Sequence, residues 1–274
     1  MRLRGLGFSL VELMVATTVG ALVSAGAFAA LARARSSWAA AEVENRLHER
    51  AQYVLATLET ELQMAGYFAG SRPLSVPAGE IPAGAAACGA DAVARLDRAI
   101  DIAEGSYPYA CVPQGHGQRA GTDTLLVRRA SARFADAGTG RLQWLTCLDA
   151  TCISGLLPDA AALPVAATPP RAELRDLIVR IFYVARGADG DAATPALRVK
   201  SLSAISGAPA FIDTEVMPGV EDLQIALLPD ALAPRTVQVT LDVRADAGDQ
   251  RLGEPMRHLT ITRQYALRNA TADS

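Results

Sequence analysis

Gly7-Phe8-Ser9-Leu10-Val11-Glu12 opens an apolar run that continues to Leu31, and Glu12 is the only ionisable side chain in that run. As a helix, residues 8–31 measure about 36 Å, enough to cross the hydrocarbon core of a bilayer. A carboxylate inside such a segment is costly, so it marks a functional position that needs a partner. Arg2 and Arg4 precede the run, and Arg33 and Arg35 are the first basic residues after it. The short leader is therefore expected on the cytoplasmic side, with the bulk of the chain across the membrane.

Three readings of this segment compete. One is a secretory signal cut after Ala27-Phe28-Ala29. Another is a plain transmembrane anchor. Both leave the carboxylate near the start of the apolar stretch without a purpose. The third rests on a resemblance: glycine, phenylalanine and glutamate at positions 7, 8 and 12 resemble a type IV prepilin signal, at that family's spacing. The resemblance implies cleavage by prepilin peptidase between Gly7 and Phe8, followed by N-methylation of Phe8. Residues 1–7 are then a leader peptide. The helix is retained, first as an inner-membrane anchor and later as the core of a filament. Glu12 gains a partner, the α-amino group of Phe8 on its own or a neighbouring subunit. In a low-dielectric bundle that pair is favoured over either charge alone and sets an axial register.

Outward from the run, Val43, Leu47, Ala51, Val54, Leu58, Leu62 and Ala65 follow steps of four and three, which makes one apolar helical stripe. Glu42 and Arg46 are spaced for an i,i+4 pair. No proline occurs before Pro73, and Gly66 is a stop signal. The spacing predicts a helix over 8–66, about 85 Å long, with 8–31 transmembrane. Residues 67–274 form the second part, long enough to bury a core of their own. They open with an irregular Pro/Gly/Ala-rich surface segment that runs to Cys88.

Strands are expected at Thr124–Arg129, Leu142–Leu148, Leu177–Val184, Ala196–Leu202, Leu223–Leu228, Thr236–Arg244 and His258–Leu267. Val237, Val239, Leu241 and Val243 alternate with polar neighbours, as does the last strand except at Arg263. Alternation of this kind points to an antiparallel sheet with one buried face. Leu177–Val184 is apolar on both faces and suits a central strand. Ile153–Arg171, rich in proline, reads as a loop. The expected fold class is α+β, with a long N-terminal helix packed on a C-terminal antiparallel β-sheet domain.

Composition excludes some functions. The 274 residues are 50% hydrophobic with a net charge of −3, so no basic surplus suggests nucleic acid as a partner. Lys200 is the only lysine. Four cysteines beyond the apolar run fit an oxidising compartment. Of the three possible connectivities, the local pairing, Cys88–Cys111 with Cys147–Cys152, is the expected one. A zinc site is not expected, because paired CxxC motifs are lacking and His48, His116 and His258 are scattered. Asp189-Gly190-Asp191 reads as a turn, not a calcium loop. Glu59 and Glu61 read as a solvated or subunit-facing surface. Trp38 is expected at the membrane interface and Trp144 inside the sheet. No nucleophile–base arrangement or phosphate loop can be picked out, so neither enzymatic activity nor a cofactor is expected.

Three further segments resemble the PilW-type minor pilin family. Leu62-Gln63-Met64-Ala65-Gly66-Tyr67-Phe68 is similar to its helix-ending element. Pro218-Gly219-Val220-Glu221-Asp222-Leu223-Gln224 is similar to its Gly-Val-Glu-Asp element. Thr262-Arg263-Gln264-Tyr265-Ala266-Leu267-Arg268-Asn269 is similar to its C-terminal strand. The resemblance implies a pilin-like fold and a structural, non-enzymatic subunit of a type IV pilus with its domain in the periplasm. Such a subunit joins other minor pilins to prime pilus assembly, at a tip that often carries an adhesin, in filaments used for adhesion and twitching motility. The alternative is a J-type minor pseudopilin of type II secretion, which shares the signal and the Gly-Val-Glu-Asp element. An alternative of another class is a DNA- or glycan-binding pilus module.

Overall fold

In the computed structural model, the residues described are 9–71, 73–76, 80–147, 153–158, 172–205, 207–230, 234–249 and 256–269. The chain divides into two units, Met1–Arg46 and Leu47–Ser274. Helix α1 spans Leu10–Met64.

In the first unit the helix is solvent-exposed through its apolar run; Leu10, Leu22 and Phe28 are each more than 70% exposed. Polar residues inside the run bond to their own helix. The Thr17 hydroxyl donates to the carbonyls of Leu13 and Met14, and that of Thr18 to Met14 and Val15. Without a water partner, internal bonding of this kind lets a threonine enter lipid or a helix bundle. Glu42 and Arg46 make the expected pair, at 3.9 Å.

In the second unit the apolar stripe is buried: Leu47, Ala51, Val54, Leu58, Leu62 and Ala65 are all nearly inaccessible to solvent. Each of these leucines, cut to alanine, would cost about 2–5 kcal/mol. The helix ends as its sequence demands. Gly66 adopts φ +74°, and its N–H donates to the Arg128 carbonyl at 2.9 Å. A Cβ here would lie 2.9 Å from the Asn269 carbonyl oxygen, so the site excludes a side chain twice over.

Two antiparallel sheets follow. The larger holds β1 (Ile100–Ala103), β2 (Thr124–Ala130), β3 (Gln143–Cys147), β4 (Gly155–Leu157), β5 (Ala172–Ala185), β6 (Ala196–Ile205) and β7 (Ala208–Pro218). The smaller has the order β10–β9–β8, from β8 (Val220–Leu228), β9 (Thr236–Arg244) and β10 (His258–Ala266). β5 is the expected central strand but longer, with 14 residues. β2 lies along one edge, while β3 and then β6 lie along the other. Asp123, buried at the start of β2, ties the two sheets. Its carboxylate accepts from the N–H groups of Gly105 and Ile225, and its own N–H donates to the Leu223 carbonyl.

Several expectations are corrected. β1, β4 and β7 were not anticipated. β1 and β4 are very short, and β7 has proline near its start and at its end and pairs only with β6 among the described strands. β4 also falls inside the stretch read as a loop, of which 159–171 lie outside the described residues. The Pro/Gly/Ala-rich segment is irregular but not superficial. Phe68, Ile81, Ala85 and Cys88 enter a core with Val93, Leu126, Trp144 and Ile181. Trp144 packs there edge-on to Phe68, with its N–H on the Ser71 hydroxyl at 2.9 Å.

Candidate functional site

The N-terminal end of α1 is closed by a reciprocal cap. Ser9 Oγ accepts from the Val11 N–H at 3.3 Å, and Glu12 Oε2 accepts from the Ser9 N–H at 3.0 Å. The Ser-x-x-Glu spacing is that of a capping box, which satisfies amide groups left over at a helix start. It was readable in the sequence but not anticipated. Glu12 is thus a local acceptor as well as a charge, and a carboxylate with one oxygen engaged retains acceptor capacity. Gly7 and Phe8, the expected cleavage pair, lie outside the described residues, as does the amine expected to face Glu12.

At the other end of α1, two of the family-like segments meet. The Asn269 side-chain amide donates to the Gln63 carbonyl at 3.2 Å, and the Asn269 carbonyl packs on Gly66. The Leu-Arg-Asn ending therefore closes over the Ala-Gly-Tyr helix terminus. Tyr265, in the same final strand, donates its hydroxyl to the Leu55 carbonyl at 3.1 Å.

The third family-like segment is a β-bulge. Val220 pairs with Val243 and Asp222 with Asp242, so Glu221 is an extra residue on β8. Val220 and Leu223 are buried, while Glu221 and Asp222 are both half-buried outside that core. A bulge allows this because two residues oppose one on the partner strand. The register brings Glu221, Asp242 and His258 together, with one donor atom from each inside 4.8 Å of the others. These are residues the sequence left scattered; only the bulge and the strand register align them.

Glu61 is not a solvated or subunit-facing residue. It is buried and paired with Arg129 of β2 and Arg180 of β5. Glu59 accepts from the Gln63 amide at 2.7 Å.

A second buried cluster involves Lys200. Its Nζ lies 2.6 Å from Asp213 Oδ2, which also accepts from the Tyr183 hydroxyl at 2.6 Å. Arg198 contacts Asp213 Oδ1 at 2.8 Å and Asp189 at 2.6 Å. Burial alone would raise the Asp213 pKa, but hydrogen bonds from Lys200, Tyr183 and Arg198 outweigh it and hold the carboxyl below its ordinary value. Burial and the Asp213 carboxylate push the Tyr183 hydroxyl well above its ordinary range. The 107–119 segment covers this cluster, with the Val112 carbonyl on Lys200 and the Gln114 N–H on the Tyr183 oxygen. A donor and acceptor set this fully engaged is structural. Asp189-Gly190-Asp191 forms a turn: Gly190 has φ +84°, and Asp191 accepts from Ala193 and Thr194 within it.

Cys88 and Cys111 form a disulfide, with the Tyr107 hydroxyl 3.1 Å from Cys111 Sγ. Cys147 is also disulfide-bonded; Cys152, its expected partner, lies outside the described residues.

Residues 4–28 match the family described as the prokaryotic N-terminal methylation motif. No curated protein and no solved structure matches the chain. The chain thus has a type IV prepilin-like N-terminus, and with its apolar helix it fits a membrane-anchored pilin-like or pseudopilin subunit. Processing by prepilin peptidase and association with other subunits follow for that class as a whole.

Proposed function

We propose that the chain is a PilW-type minor pilin, a non-enzymatic subunit that helps prime assembly of a type IV pilus and resides at its tip. The observation that carries this reading is the closure of Asn269 over Gln63 and Gly66. It joins two segments, more than 200 residues apart, that both resemble this family. The exposed apolar helix needs lipid or like helices around it, and the methylation motif supplies the route to both. The Cys88–Cys111 disulfide suits a periplasmic domain.

Co-purification of the full chain from its native membrane tests the assignment. Recovery with minor pilins and pilus subunits is the expected result. Recovery with type II secretion pseudopilins assigns the chain to the J-type class instead. The Gly-Val-Glu-Asp element, bulged at Glu221, resembles both families and does not separate the two readings.

A further inference from the structure

We propose that Glu221, Asp242 and His258 form a binding site for a divalent transition metal, of which zinc is the fitting example. One ligand comes from each strand of the smaller sheet. Glu221 stands on the β8 bulge, Asp242 on β9, and His258 opens β10. Asp242 and His258 share the polar face because Arg244, opposite His258, is two residues from Asp242.

The geometry is that of ligands more than of hydrogen bonds. His258 Nδ1 lies 3.5 Å from Asp242 Oδ2 and 3.7 Å from Glu221 Oε2. Those spacings are long for N–H···O bonds. They are close to the edge of a tetrahedron with bonds of about 2.1 Å, which is about 3.4 Å. One imidazole with two carboxylates is a zinc-type donor set, whereas calcium and magnesium take oxygen alone. The His258 side chain is 38% exposed, so a fourth position opens to water.

Two arginines set the strength. Arg244 Nη1 lies 3.2 Å from Glu221 Oε1, the oxygen turned away from His258, and orients the carboxylate. Arg119 Nη2 lies 3.6 Å from Oε2 itself and competes with the ion. The bound ion pins β8, β9 and β10 at one end and fixes where the final strand begins.

The test is a Zn²⁺ titration of the detergent-solubilised, tag-free full chain against a chromophoric chelator. Wild type should take up one ion per chain through this site, and its Tm should rise with Zn²⁺. His258→Ala, His258→Gln and Asp242→Asn should each weaken binding beyond the about 10–100-fold that loss of an outer hydrogen-bond partner costs. His48→Ala and His116→Ala should leave it unchanged. Arg119→Ala should tighten it, an effect opposite to that of losing a structural ion pair. Absence of a saturable site, binding indifferent to His258 and Asp242, or weaker binding by Arg119→Ala overturns the proposal. Circular dichroism of each variant verifies its fold, and the exposed His258 can be replaced without opening the core.

Discussion

Glu61 and Arg129 form a two-pronged ion pair inside the domain, with Nε to Oε2 and Nη2 to Oε1 both 3.1 Å apart. Arg180 adds a third contact to Oε1 at 2.7 Å. One helix carboxylate thus anchors two neighbouring strands, because Arg129 on β2 and Arg180 on β5 face the same side of the sheet. Forked pairing of this sort fixes orientation as well as distance. It holds the amphipathic part of α1 in register on the sheet, where apolar contacts alone would permit sliding.

Glu61→Ala leaves the Arg129 guanidinium buried without its counter-charge. Breaking a buried pair from one side typically costs about 3–5 kcal/mol. Urea unfolding of the variant should show a loss in that range. A loss below about 1 kcal/mol, the level of an exposed pair, would mean that water reaches Arg129.

Asp213 sets an acid limit. Its folded pKa lies below the about 3.9 of an unfolded aspartate. The sign follows: its contribution is complete above about pH 4 and is lost as the pH falls through the folded value. Asp213→Asn removes the counter-charge of buried Lys200, while Arg198 keeps Asp189, and should cost about 3 kcal/mol at neutral pH. The gap between variant and wild type should hold steady down to about pH 4 and narrow below it. Unfolding curves at successive pH values decide this, and a gap that widens on acidification contradicts the assignment.

The Cys88–Cys111 bridge closes a loop with a sequence separation of 23. The chain-entropy relation gives about 3 kcal/mol for a loop of that size. The bridge also anchors the segment whose Gln114 N–H caps the Tyr183 hydroxyl. In a Cys88→Ser/Cys111→Ser variant, amide exchange at Gln114 should accelerate more than exchange in β9. Equal acceleration at both would show that the bridge acts on the whole domain alone.

The helical stripe and the alternation of β9 were legible because each needs only its own spacing. Leu47 to Ala65 repeat at the helix period, and Val237 to Val243 at the strand period, whatever they pack against. Glu61 was misread because its partners are 68 and 119 residues away, and no local rule connects them. The Glu221–Asp242–His258 grouping was hidden by a single extra residue in β8, which breaks the strict alternation of faces and lets Glu221 reach Asp242. β7 was missed because Pro209 and Pro218 suppress strand signals at both ends, yet an edge position tolerates them. The Ser9–Glu12 cap was fully local, a Ser-x-x-Glu pattern in plain view.

Gly7→Val should block removal of the leader, since a side chain obstructs close approach to the backbone at the cut. Intact-mass measurement of membrane protein decides it. A mass equal to that of mature wild type, with the leader removed, defeats the prepilin reading.

Glu12 has one contact in the structure and one expected from the prepilin resemblance, and one pair of variants divides them. As a cap, its oxygen satisfies the Ser9 N–H. As a charge, it is expected to meet the methylated amine of Phe8. Glu12→Ala removes both and should leave membrane insertion intact while abolishing co-assembly. Glu12→Gln retains an amide oxygen for the Ser9 N–H but no charge. A cap is worth about 1 kcal/mol, too little to govern assembly of a helix held by lipid and neighbours. An ion pair in a low-dielectric bundle is worth more, and one partner left alone there is penalised. Glu12→Gln should therefore fail like Glu12→Ala in pull-downs of the membrane complex. Recovery of normal assembly by Gln, with Ala still defective, would assign Glu12 to the helix start and remove the amine from the account.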